Sequence, residues 1–188
     1  MKLKLIYVLF FFSGLAGLIY EIVWGRLLVL IFGSTTQSMV AVITAFLGGL
    51  ALGSFMAGKK ADNWNGRQLI KAYALLEAGV GVTAAGTLVL MPAIKSIYGL
   101  LSDGSTVSTG LLGIKFLLGI GLLLIPTTLM GTTLPILSRW VTLQGKNLDQ
   151  GVSRLYAVNT LGAAFGVVMA AVVLIELLGL SNTVLVAV

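Results

Sequence analysis

"SGLAGLIYEIVWGRLLVLIF", residues 13–32, is apolar enough for the interior of a bilayer, yet it carries Glu21 and Arg26. An ionisable side chain in hydrocarbon costs at least about 2.5–3.5 kcal/mol on insertion scales, so it persists only when paired, hydrated or needed. Upstream, the apolar run reaches back to Leu3, with Lys2 and Lys4 at its start. A cleavable signal has roughly 7–15 apolar residues followed by a small-residue cleavage site. This run is about twice that length, which makes it an uncleaved first transmembrane helix.

The rest of the chain matches that beginning. Of 188 residues, 58% are hydrophobic and 10% charged, with a mean hydropathy of +1.07. Soluble domains sit near one quarter charged, so the chain reads as an integral membrane protein. It has no cysteine and no histidine. Disulfides, thiol chemistry, imidazole acid–base work and most zinc or haem ligation are thereby removed, and no metal or cofactor is expected.

Apolar runs long enough to cross about 30 Å of hydrocarbon lie at residues 4–32, 37–59, 68–92, 108–138 and 152–178. After "GLSN" the chain resumes with residues 183–188, read as the start of a truncated sixth helix. The fold class expected is an all-α polytopic membrane bundle, five spans plus the start of a sixth, in a single domain. Net charge is +6, but the positions of the basic residues account for it. Lys2, Lys4, Lys59, Lys60, Arg67, Lys71, Arg139, Lys146 and Arg154 flank the amino terminus and the even loops, whereas the first loop, "GSTTQS", has no charge. The positive-inside rule therefore puts the amino terminus and the even loops in the cytoplasm, in a multi-pass protein of the inner (cytoplasmic) membrane. Nucleic acid is not an expected partner.

Small residues recur at four-residue intervals, at Gly49, Gly53 and Ala57 and again at Gly162, Gly166 and Ala170. Such faces let membrane helices approach closely. A half-sized bundle leaves one face unburied, so Gly49/Gly53 or Gly162/Gly166 are expected at a contact with another copy or another domain. The intramembrane charges divide in the same way between structure and function. Glu21 shares a helical face with Gly14, Gly17 and Gly25 and is expected to point into the bundle, while Arg26 lies about 140° round the helix and can snorkel or meet Glu176. Glu77 lies roughly 15 Å deep in the third span, with Tyr73 on its face. Either Lys115, entering the fourth span from the opposite side, pairs with Glu77, or Glu77 and Glu21 form an acidic site for a cation or a proton. Asn159, one turn into the fifth span, can hydrogen-bond to a neighbour or contribute to that site. Pro126 and Pro135 interrupt the fourth span among threonines that can satisfy the freed carbonyls.

The second loop, "GKKADNWNGR", has Asp62 four residues after Gly58 and closes on Gly66 and Arg67. It resembles the loop signature of the major facilitator superfamily, departing from it at Asn63 and in the late placement of Gly66. Together, "SGLAGLIYEIVWGRLLVLIFGST", "FLGGLALGSFMAGKKADN", "YALLEAGVG", "LMGTTLPILSRW" and "LYAVNTLGAAFGVV" resemble the membrane region of spermidine-synthase-like membrane proteins. In that family a region similar to half of a major facilitator is joined to a cytosolic aminopropyltransferase-like domain. No glycine-rich nucleotide loop and no acidic active-site run is found in these 188 residues, so the resemblance implies a membrane module that is not itself an enzyme. Two functions follow from it. One is a transporter-like domain handling a polyamine-like cation together with a second copy or a missing second half. The other is a non-transporting anchor for a soluble catalytic domain or partner.

Overall fold

A computed structural model describes residues 3–101, 109–145 and 147–188. Lys2 and Lys146, which entered the charge argument, lie outside the described residues. The chain forms α1 (Leu3–Phe32), α2 (Thr35–Ala61), α3 (Gly66–Leu101), α4 (Thr109–Leu143) and α5 (Leu148–Val168), then a π-helical turn (Met169–Leu174) and α6 (Ile175–Ala187). There is no strand among the described residues. Among the described residues, five helical segments are long and apolar enough to cross a bilayer, namely Leu3–Phe32, Thr35–Ala61, Gly66–Ser96, Gly113–Leu143 and Asp149–Ala187. This is an all-α bundle of a multi-pass membrane protein.

Small residues set the pairing of the helices. On α2, a Cβ at Gly49 would fall on Thr127, and one at Gly53 on the backbone of Thr128 and Gly131. On α5, a Cβ at Gly162 or Gly166 would fall on the carbonyls of Phe11 and Leu15. Both pairs of contacts ascend together, so α2 runs parallel to α4 and α1 parallel to α5. These glycines are therefore used inside the chain, which corrects the expectation that they meet a second copy or another domain. The physical reason is that the facing helix is present within these five spans, and backbone contact at van der Waals distance leaves no room for an outside helix.

Hydrogen bonds reinforce the α2–α4 seam where the prolines weaken it. Pro135 has no N–H, which leaves the carbonyl of Gly131 without its intrahelical donor. Ser54 of α2 donates its hydroxyl to that carbonyl at 3.0 Å. The substitute comes from the neighbouring helix and not from a nearby threonine. Thr127, directly after Pro126, lies 2.7 Å from the Leu123 carbonyl and 3.0 Å from that of Ala45 on α2. Pro92 does not end α3, which continues to Leu101.

The ends of the helices are set by local chemistry. Gly33, at φ +72°, stops α1, and Ser34 caps α2. In the second loop Asn65 accepts from the backbone N–H groups of Arg67 and Gln68, while the Gln68 side chain accepts from Asn65 N–H at 2.9 Å. This reciprocal arrangement is a capping box at the start of α3. A second glycine, Gly179, at φ 74° and ψ 175°, breaks the helix within α6. Beyond it the chain turns back into the bundle, where Val184 is buried in the core beside Val80 and Ala84 of α3. The Tyr20 hydroxyl donates to the Ala187 carbonyl at 2.6 Å.

Candidate functional site: a cleft between the first and third helices

One stripe of α1, made of Leu9, Phe12, Ser13, Ala16 and Tyr20, faces Tyr73, Glu77 and Gly81 of α3 across a cleft of about 480 Å³. The spacings are those of one helical face on each side. Met130 of α4 contributes to the lining, and Ala187 and Val188 border the cleft as well. Its α1 edge is open, since Leu9 and Phe12 are exposed at the bundle surface.

Glu77 is the ionisable group of this cleft. It lies eleven residues beyond Gly66, about 16 Å along α3. The hydroxyls of Ser13 and Tyr73 lie within hydrogen-bonding reach of its carboxyl. Its Oε1 is nevertheless sealed from solvent and accepts no well-directed hydrogen bond. Tyr73 is held firmly, being 4% exposed and in edge contact with Phe10 at 6.5 Å between ring centroids. Tyr20 stacks on Trp24 at 5.6 Å, and Trp24 donates its indole N–H to Thr87 at 3.0 Å. Phe10–Tyr73 and Trp24–Thr87 thus join α1 to α3 on either side of Glu77.

Of the residues singled out from the sequence, the structure brings Tyr73 and Glu77 together and separates the others from them. Glu21 is half-buried on α1 but does not line the cleft. It is one position past Tyr20, and so about 100° round the helix from the cleft-facing stripe. Asn159 lies at the α1–α5 contact, where its side-chain N–H donates to the Phe10 carbonyl at 3.0 Å and Gly14 leaves it room. It acts as an interhelical tie on the other side of α1.

The expected charge pairs also differ. Lys115 does not pair with Glu77; its ammonium donates to the Ile31 carbonyl at 3.1 Å. Ile31 is in the last turn of α1, where carbonyls have no intrahelical donor and a cation is favoured. Ser13, which faces Glu77, is eighteen residues from Ile31 on the same helix, roughly 27 Å away. Arg26 and Glu176 are both exposed, and no ion pair joins them.

In the second loop Gly58 and Gly66 are half-buried, and Asp62 and Arg67 are exposed. Asp62 takes part through its backbone, its carbonyl accepting from Arg139 Nη2 of α4 at 3.3 Å. This places a cation at the carboxyl end of α2, in keeping with the helix dipole. Sequence reasoning missed Ser13, Tyr20 and Arg139. The signal for the first two was present, since Ser13 and Tyr20 stand seven residues apart on one face of α1.

Chemically, the cleft offers a carboxylate, the hydroxyls of Ser13 and Tyr73 and aromatic rings in a low-dielectric wall. That set suits an ammonium group or a proton, because the carboxylate supplies charge and the rings supply their negative faces. Among the described residues no group of three or more His, Cys, Asp or Glu side chains is placed to hold a metal ion. The chain matches no protein-family model, no curated protein and no solved structure.

Proposed function

We propose that the chain is a membrane domain that binds an organic cation in the α1–α3 cleft, with Glu77 as the counter-charge and Tyr73 and Ser13 as its hydrogen-bonding neighbours. A single observation carries this reading. The Glu77 carboxyl faces two hydroxyls and a cleft in place of a basic side chain, and one of its oxygens is shielded without an acceptor's share of hydrogen bonds. A carboxylate so placed in hydrocarbon is costly unless a ligand or a proton completes it. The resemblance to spermidine-synthase-like membrane proteins makes a polyamine the first cation to try. It also makes a second membrane half, a second copy or a cytosolic aminopropyltransferase-like domain the partner to look for.

The test is spermidine binding to the purified protein in lipid nanodiscs, followed by uptake into liposomes. Wild type is expected to bind, Glu77→Gln to lose binding by tenfold or more, and Glu21→Gln to retain it, since Glu21 lies off the cleft. Equal binding by all three proteins removes Glu77 from the role. No binding by wild type leaves the domain as an anchor. Binding without uptake gives a receptor or a channelling surface for an attached enzyme.

A further inference from the structure

A second hollow, separate from the Glu77 cleft, runs between α2 and α3 with α4 as its floor. Its volume is about 320 Å³, and its walls are Met56 and Ala57 of α2, Ala72, Leu75 and Leu76 of α3, and Thr132 and Ile136 of α4. Met56 and Leu75 form its lips and are exposed at the bundle surface, so the groove opens sideways to the bilayer. Its α3 wall runs from Ala72 to Leu76, about 6 Å along the helix.

The mouth is of different chemistry. Lys60 and Trp64 line it directly. Thr132, Ile136 and Arg139 share one face of α4 at spacings of four and three, so the guanidinium of Arg139 stands one turn beyond the floor, at the same end. Arg139 gives one N–H to the Asp62 carbonyl, but its Nε is shielded from solvent without an acceptor. Lys59, Arg67 and Lys71 are exposed around the same loop. An apolar slot thus ends at an ammonium, an incompletely used guanidinium and an indole. Tryptophan favours the headgroup level of a bilayer, and basic side chains there attract anionic lipid.

We propose that this groove is a binding site for an anionic phospholipid. One acyl chain lies along Met56, Leu75 and Leu76, and the phosphate meets Lys60 and Arg139 at the mouth. A helix of a second copy fits poorly, because with its side chains it is about 10–12 Å across and a single 5.4 Å turn already fills roughly 400–600 Å³. Charge complementarity selects the headgroup, since a zwitterionic lipid brings a cation of its own to a basic mouth.

Quenching of Trp64 fluorescence by lipids brominated in the acyl chain tests the site. The purified protein is placed in phosphatidylcholine nanodiscs containing, at equal mole fraction, brominated phosphatidylglycerol or brominated phosphatidylcholine, and Trp64→Phe identifies the Trp64 signal. The phosphatidylglycerol form is expected to occupy the site at least about fivefold more effectively, the preference that one basic contact at a membrane surface supplies. Lys60→Gln should reduce that preference severalfold. Ala72→Phe, which fills the slot, should remove quenching by either lipid. Arg139→Gln also loosens the end of α2, so Lys60→Gln is the variant that decides. Equal quenching by the two lipids in wild type, or a preference unchanged in Lys60→Gln, overturns the assignment. Displacement of the brominated lipid by inorganic phosphate also overturns it, since the mouth would then serve a soluble anion.

Discussion

Glycine and glutamate are the residues on which this molecule turns, and each is best understood from what surrounds it. A methyl group at Gly162 would land on the Phe11 carbonyl of the parallel helix, whereas one at Gly58 would meet nothing within 4 Å. Gly162→Ala is therefore expected to lower stability by about 1–3 kcal/mol, the usual cost of overpacking. Gly58→Ala should be neutral or stabilise by up to about 1 kcal/mol, because alanine loses less backbone entropy in a helix. Reversible unfolding in mixed micelles measures both, and equal effects would mean that the α1–α5 contact is looser than described. The two glutamates were alike in the sequence, both inside apolar runs. Only the orientation of α1 against α3 separates Glu77, in the cleft, from Glu21, off it. No periodicity along one helix carries that information, since it depends on which neighbour each face meets.

At the scale of elements, the spans were legible because hydrocarbon thickness imposes a length that composition alone reveals. Their ends were less so. α3 and α4 run past the apolar stretch, continuing through Pro92 to Leu101 and through Pro135 to Leu143, since a proline removes one hydrogen bond and not the helix when a neighbour such as Ser54 steps in. The final segment, read from the sequence as the start of a sixth helix, is helical from Ile175 to Ala187 but reverses at Gly179 and packs back on α1 and α3. Its turn depends on a positive φ that alanine adopts only with strain. The chain has no cysteine, so a single introduced thiol reports cleanly. Val184→Cys, at a fully buried position, should resist maleimide in an otherwise unchanged protein and become at least severalfold more reactive when Gly179→Ala is added. Unchanged protection would show that packing of α6 does not need the glycine turn.

For the whole molecule, the distribution of charge makes an orientation testable. Thr36→Cys in the first turn of α2 and Asn63→Cys in the loop after it are both exposed and lie at opposite ends of that helix. With the basic loops cytoplasmic, an impermeant maleimide should label Thr36→Cys in intact cells and Asn63→Cys only after lysis. The reverse pattern would invert the orientation of every span. What the sequence could not convey is the pairing of helices, because contacts between parallel spans join segments far apart in the chain. Asn159 and Phe10, tied by a side-chain hydrogen bond, are 149 residues apart. At a synthesis rate of about 5–20 residues per second, α1 enters the bilayer on the order of 7–30 s before the helix that fills its glycine face has been made. During that interval the nascent chain holds an exposed groove and an ionisable glutamate in lipid, so its biogenesis calls for shelter by the insertion machinery until the fifth helix arrives.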